Sequence, residues 1–160
     1  MPAMTEKRVV GIPAPRVEGE QKVTGRAVYA LDAVLPGMLW VKMLRSPFAH
    51  ARIKKIDAAK ARALEGVRAV LTGKDLAGAK IGKKIVDMPI LAADVVRFAG
   101  EKVAAVAAES EEVAAAATEL IEIDYEELPA VFDPLEAMRP DAPLLHPELA
   151  RYAGLVHPIA

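Results

Sequence analysis

The sequence predicts an α+β domain, and three observations carry that reading. Two stretches, 51–71 and 102–126, each read as strand, short helix, strand. In the second, Ile121, Ile123 and Tyr125 alternate with Glu122, Asp124 and Glu126, the period of a half-buried strand. Extra strand-like residues precede each unit while helices are few, which argues against a doubly wound fold. The expected architecture is a mixed sheet holding both units, with the helices packed on it.

The elements follow in order. Residues 1–22 are rich in Pro, Gly and charge, punctuated by Gly11, Pro13, Pro15 and Gly19, and read as an extended arm. Gly25–Ala30 and Met38–Leu44 read as short strands, the second entered through the Pro36–Gly37 turn. Pro47 removes a donor and biases Ser46 away from helix, so the strand ends at Arg45–Ser46–Pro47. Ala51–Ile56 is extended. Asp57 stands where a helix cap belongs, ahead of Ala58–Glu65, and Gly66 suits a left-handed exit. Val67–Leu71 returns as a strand.

Lys74–Pro89 reads as a loop rich in Gly and Lys. Lys102–Ala108 is a strand of valine and alanine. Ser110 then caps an alanine-rich helix reaching Leu120, with Glu111 and Glu112 in its first turn beside the positive end of the dipole. After Pro129, prolines at 134, 140, 143, 147 and 158 prevent long helices, leaving room for one turn at Leu135–Met138. The expected organisation is an arm over 1–22, a folded domain over 23–133 and a Pro-rich linker or tail over 134–160.

Composition bounds the function. The 160 residues suit one domain and could just hold two small ones. The formal net charge of −1, from 21 basic and 22 acidic residues, gives no electrostatic drive toward nucleic acid or an anionic membrane. The absence of cysteine excludes disulfides, thiolate zinc sites and iron–sulfur ligation within these residues. Apolar runs such as Val103–Ala108 fall far short of the about 20 residues that span a bilayer, and the first residues lack a signal-peptide core, so a cytoplasmic location is expected. Apolar residues make up 53% but aromatics only 4%, so packing rests on small side chains approaching closely.

Chemistry-bearing motifs are scarce. Arg68 stands where a phosphate loop ending at Gly73–Lys74 needs glycine, and Ala77 does the same before Gly82–Lys83. His50, His146 and His157 are far apart, without the close spacing of a zinc site. His50, after the Arg45–Ala49 turn, reads first as a turn histidine bonded to a backbone carbonyl. The sharper alternative makes it an interface or substrate-channel residue. Ser46 and Ser110 lie in no nucleophile elbow. Glu122, Asp124 and Glu126 read as a solvated strand face, with Glu127 beside them. Lys80, Lys83 and Lys84 form a small basic patch without interleaved aromatics, unlike a nucleic-acid platform. No catalytic, cofactor-binding or metal-binding residue is therefore expected. The Gly78–Lys84 loop leaves a weaker reading as a small-ligand site.

Several stretches occur together in a fixed order: Gly25–Asp32, Leu44–Ile53, Gly66–Leu71, Leu91–Asp94, Val96–Phe98, Gly100–Glu101 and Ile123–Val131. Each is weak alone. As an ordered set they resemble the α/β-hammerhead domain that opens the molybdenum-binding large subunit of the xanthine dehydrogenase, aldehyde oxidase and carbon monoxide dehydrogenase family. The resemblance covers about residues 10–150. It implies a non-catalytic structural and assembly domain, as a fragment or a split subunit, of a molybdopterin-dependent oxidoreductase. It also implies a molybdenum–pterin cofactor elsewhere in the complete enzyme, and iron–sulfur clusters and FAD in partner domains or subunits. The family's glycine-rich loop, its glutamine near molybdenum and its glutamate base belong further along the large subunit, so no site residue transfers. The implied partners are those domains and subunits, with hetero-oligomerisation, or self-association in isolation. A rival reading is a stand-alone protein–protein interaction module that diverged from the family and has no redox activity.

Overall fold

The computed structural model describes residues 11, 13–76, 78–82 and 86–147. The chain divides into two units, Met1–Pro36 and Gly37–Ala160.

In the first unit, α1 (Gly19–Val23) is a five-residue helix inside the stretch expected to be an extended arm. Glu18 accepts from Arg16 Nε at 2.7 Å and from Lys22 Nζ at 3.3 Å, and the Thr24 hydroxyl donates to the Glu20 carbonyl at 2.7 Å. These local bonds hold the single turn. The strand expected at Gly25–Ala30 is absent. A 3₁₀ turn (Ala30–Asp32) forms instead, with the Tyr29 amide donating to Asp32 Oδ2 at 2.8 Å. Gly25 has φ +70°, which breaks an extended run, and no described strand lies beside the segment to satisfy its ladder groups.

The second unit holds β1 (Trp40–Arg45), β2 (Ala51–Asp57), α2 (Ala59–Ala63), β3 (Val67–Thr72), β4 (Lys80–Ile81), β5 (Met88–Pro89), β6 (Val95–Val96), β7 (Lys102–Ala108), α3 (Glu111–Glu119), β8 (Glu122–Glu127) and α4 (Pro134–Ala137). The α+β class stands, but the expected single mixed sheet is replaced by two three-stranded sheets, β1–β7–β3 and β6–β2–β8, and a small β4–β5 pair. Every described ladder is antiparallel.

The reason lies in how the strand–helix–strand units pair. A helix crossover within one sheet yields parallel neighbours. Here α2 and α3 each carry the chain from one sheet to the other. The first strand of one unit pairs with the second strand of the other, β2 with β8 and β7 with β3. The segment between β5 and β7 ties the sheets together: Ala92 N donates to Lys102 O and Ile53 N to Asp94 O, both at 2.8 Å.

One core lies between the β1–β7–β3 sheet and its helices, with Ala58, Ala61, Val70, Ala104, Val106, Ala117 and Ile121 buried together. Ala114 and Ala117 share the inner stripe of α3, one turn apart, so the helix seats closely on β7. A second core joins Ala51, Ile53, Ala92, Val96 and Val103 beneath Phe48 and Tyr125.

The helix expected over Ala58–Glu65 is shorter, Ala59–Ala63, with extended Leu64 as its C-cap, so Gly66 stands two residues beyond that cap. Ser110 Oγ accepts from Val113 N at 3.2 Å. Asp57 accepts from Ala59 N at 3.1 Å, although Ala58 occupies the cap position and Asp57 closes β2. Gly66 has φ +86°, and a Cβ there would lie 3.3 Å from Val113 Cγ1. In the tail, Asp133 caps the single turn of α4. The Lys74–Pro89 stretch is not all loop, since β4 and β5 form a short hairpin within it.

Candidate functional site

The residues with the most chemical character gather where β1 passes into β2. The turn Ser46–His50 is anchored from both sides. Ser46 N donates to Glu101 O at 2.9 Å, and Gly100 N donates to Ser46 O at 2.8 Å. The Ser46 hydroxyl, buried, accepts from Phe48 N at 3.0 Å and closes a tight loop after the strand, as Pro47 demands.

His50 is buried, and its Nδ1 lies 2.6 Å from the Pro129 carbonyl oxygen. An acceptor there requires the proton on Nδ1. The His50 carbonyl in turn accepts from Leu128 N at 2.9 Å. The histidine thus clasps the strand exit after β8 to the start of β2, in the backbone-bonded role favoured by the sequence. Phe48 packs on Tyr125 with ring centroids 5.0 Å apart at 50°. The Tyr125 hydroxyl is buried without a hydrogen-bond partner among the described residues. Burial pushes its pKa up.

A cleft of about 190 Å³ adjoins this turn, lined by Asp87, Met88, Arg97, Phe98, Glu101 and His146, among others. Glu101 is buried, and its carboxylate accepts from Arg97 N at 2.5 Å. The Arg97 guanidinium donates to Leu145 O and Val95 O, both at 3.2 Å. Arg97 and Glu101 therefore hold backbone in place. Arg97, Glu101 and Tyr125 carry no sequence signal as site residues, because nothing in their spacing shows that the β6–β7 connection, the turn after β1 and strand β8 converge here.

The other candidates are placed apart. Glu122 and Glu126 lie on the exposed face of β8 with their countercharges: Lys60 is 2.5 Å from Glu122, and Lys54 and Arg52 are 3.7 Å and 3.8 Å from Glu126. Asp124 is exposed on the same face. Among the described residues no three His, Asp or Glu side chains converge as a metal site. His157, Lys83 and Lys84 lie outside the described residues, so the Gly78–Lys84 loop is described only in part. No helix among the described residues is long and apolar enough to cross a membrane.

A surface feature is more distinctive. Val70, Ala104 and Val106 of the β1–β7–β3 sheet, with Leu44, face the helices. Alternation therefore turns Val41 and Met43 of β1, Ala105 and Ala107 of β7, and Ala69 and Leu71 of β3 to the opposite face. Register aligns them in two rungs, Met43–Ala105–Leu71 and Val41–Ala107–Ala69. All six are apolar, and Val41, Met43 and Leu71 are 55%, 41% and 44% exposed.

Comparison with known proteins places this architecture. Residues 24–129 match the family model described as "Aldehyde oxidase and xanthine dehydrogenase, a/b hammerhead domain". The chain belongs to that family. It is 48% identical over 132 residues to a probable xanthine dehydrogenase polypeptide from Bacillus subtilis, covering 82% of this chain and 18% of that protein. It is 46% identical over 148 residues to the carbon monoxide dehydrogenase large chain of Afipia carboxidovorans, covering 88% and 18% respectively. Its fold matches the crystal structure of the Cu,Mo-CO dehydrogenase in its carbon monoxide-reduced state with a TM-score of 0.82 and 45% identity, over 87% of this chain and 18% of that one. The chain thus spans about a fifth of the length of these relatives.

Proposed function

We propose that this chain serves as a structural and assembly domain of a molybdenum hydroxylase-type oxidoreductase and carries no catalytic centre. The observation that supports this most directly is the coverage. More than four-fifths of the chain matches the xanthine and carbon monoxide dehydrogenase relatives, yet it accounts for 18% of their length.

The chemistry of its own residues agrees. A molybdenum–pterin group needs a cavity of ordinary ligand size, about 300–1,000 Å³, with free donors. The cleft beside Arg97 measures about 190 Å³ and its Arg97 and Glu101 groups are engaged with backbone. Two open clefts reach about 310 and 320 Å³, but their charged groups, Lys55, Asp57 and Glu122 in one and Arg62 and Arg68 in the other, are already ion-paired. These residues do not fit that group. In this reading the cofactor is held by the rest of the large subunit, and iron–sulfur clusters and FAD by partner domains or subunits. Residues 1–22 act as an arm and 134–160 as a linker, flanking a domain over 23–133. The assembly is cytoplasmic and binds neither nucleic acid nor membrane.

Metal analysis tests the proposal. The purified chain should contain molybdenum far below one atom per chain and show no dehydrogenase activity. Co-expressed with the remaining large-subunit polypeptide, it should co-purify at one to one with a molybdenum-containing complex. Stoichiometric pterin on the chain alone, or no association with that polypeptide, would overturn it.

A further inference from the structure

A three-stranded antiparallel sheet that presents one face to water normally carries polar side chains there. The β1–β7–β3 sheet does not. Its inner face is covered by α2 and α3, and its outer face carries six apolar residues in two aligned rungs. A sheet apolar on both faces is built for burial on both.

The outer face also has a shape. Ala105 and Ala107 form a low floor along the central strand β7. Val41 and Met43 rise on one side of it, from β1, and Leu71 on the other, from β3. The walls stand two strand spacings apart, about 9.5 Å. The wall side chains take up part of that spacing, so one ridge of an α-helix's side chains, rather than the whole helix body, settles on the alanine floor. Beyond the floor, Val103 is the next β7 residue on the same face and is already buried in the second core, so the trough runs on from packed interior.

We propose that this trough seats the apolar face of a helix supplied by the remaining polypeptide of the large subunit. The proposal rests on the reading of the chain as one domain of such a subunit. The relatives point to the occupant: more than four-fifths of their length lies outside the matched stretch and is available to cover the face. A second copy fits poorly, because trough against trough would leave both alanine floors unfilled.

The chain has no cysteine, so Leu71→Cys introduces a unique thiol on one wall by a mild change. Maleimide labelling of this variant is followed in the isolated chain and in its complex with the remaining large-subunit polypeptide. The expected result is ready labelling in the isolated chain and at least about tenfold slower labelling in the complex, as access is lost on burial. A second variant, Met43→Glu, should weaken the complex by at least about tenfold by burying a charge. Asp124→Asn, on the solvated face of β8, should leave it unchanged. Equal labelling in both states would overturn the trough as the docking surface while the complex itself still formed. Protection already present in the isolated chain would also overturn it, with sedimentation showing whether a second copy or the chain's own residues cover the face. Failure of the unmodified chain to form any complex would sink the parent reading as well, and so is distinguishable from failure of the trough alone.

Discussion

His50 illustrates how a single side chain joins distant parts of the chain. Its Nδ1–H donates to the Pro129 carbonyl across 79 positions of sequence. Replacing it with alanine leaves that carbonyl short of its partner and opens a gap beside β2. His50→Ala should lower stability by about 1–3 kcal/mol, read from urea unfolding. In the complete enzyme, activity should fall only as far as stability does; activity lost from a fully stable variant would return His50 to the substrate-channel role.

Carboxylates at the same scale set the acid limit. The Thr72 hydroxyl and then its amide hold Asp75 below its ordinary value, the Ala59 amide does so for Asp57, and backbone and Ser110 bonds for Glu112. A folded pKa below the unfolded one contributes stability that is complete above the ordinary carboxylate range and is lost as pH falls through the folded value. The unfolding midpoint should therefore be flat near neutrality and decline below about pH 4. Asp75→Asn should make that decline shallower, and an unchanged slope would remove Asp75 from the account.

At the scale of elements, α3 is short and depends on its ends and its seat. Ser110 satisfies the Val113 amide, and Ala114 and Ala117 let the helix lie close on β7. Ser110→Ala should cost about 1 kcal/mol in thermal or urea unfolding. Loss of less than a few tenths would mean that water caps the helix equally well. The elements legible from sequence are those with local causes: β7 as Lys102–Ala108, the Ser110 cap, and the alternation in β8. The strand expected at Gly25–Ala30 failed because β propensity needs a neighbour, and none is described there. The two-residue strands β4, β5 and β6 were illegible because so few residues hold no period.

At the scale of the molecule, the outer face of the β1–β7–β3 sheet separates domain from assembly. Ala105 lies on its floor, half-buried between Met43 and Leu71. Ala105→Leu should change the stability of the isolated chain by less than about 0.5 kcal/mol, as for an open surface site. In the complex it should obstruct the seat, and weaker binding by calorimetry is the expected outcome. A variant that destabilised the isolated chain as strongly would show the face to be covered already.

The sequence by itself determined the α+β class, the Ser110 cap, the periodicity of the longer strands and the family resemblance. All of these depend on neighbours within a few residues or on an ordered set of short motifs. Only the tertiary structure decided that each strand–helix–strand unit splits between two sheets, that Ser46, Glu101, Arg97 and Tyr125 converge, and that six small or aliphatic residues share one uncovered face. Those facts depend on which strands pair and in what register. Pairing is chosen by long-range burial, where a one-residue shift would turn every side chain of a strand to the other face.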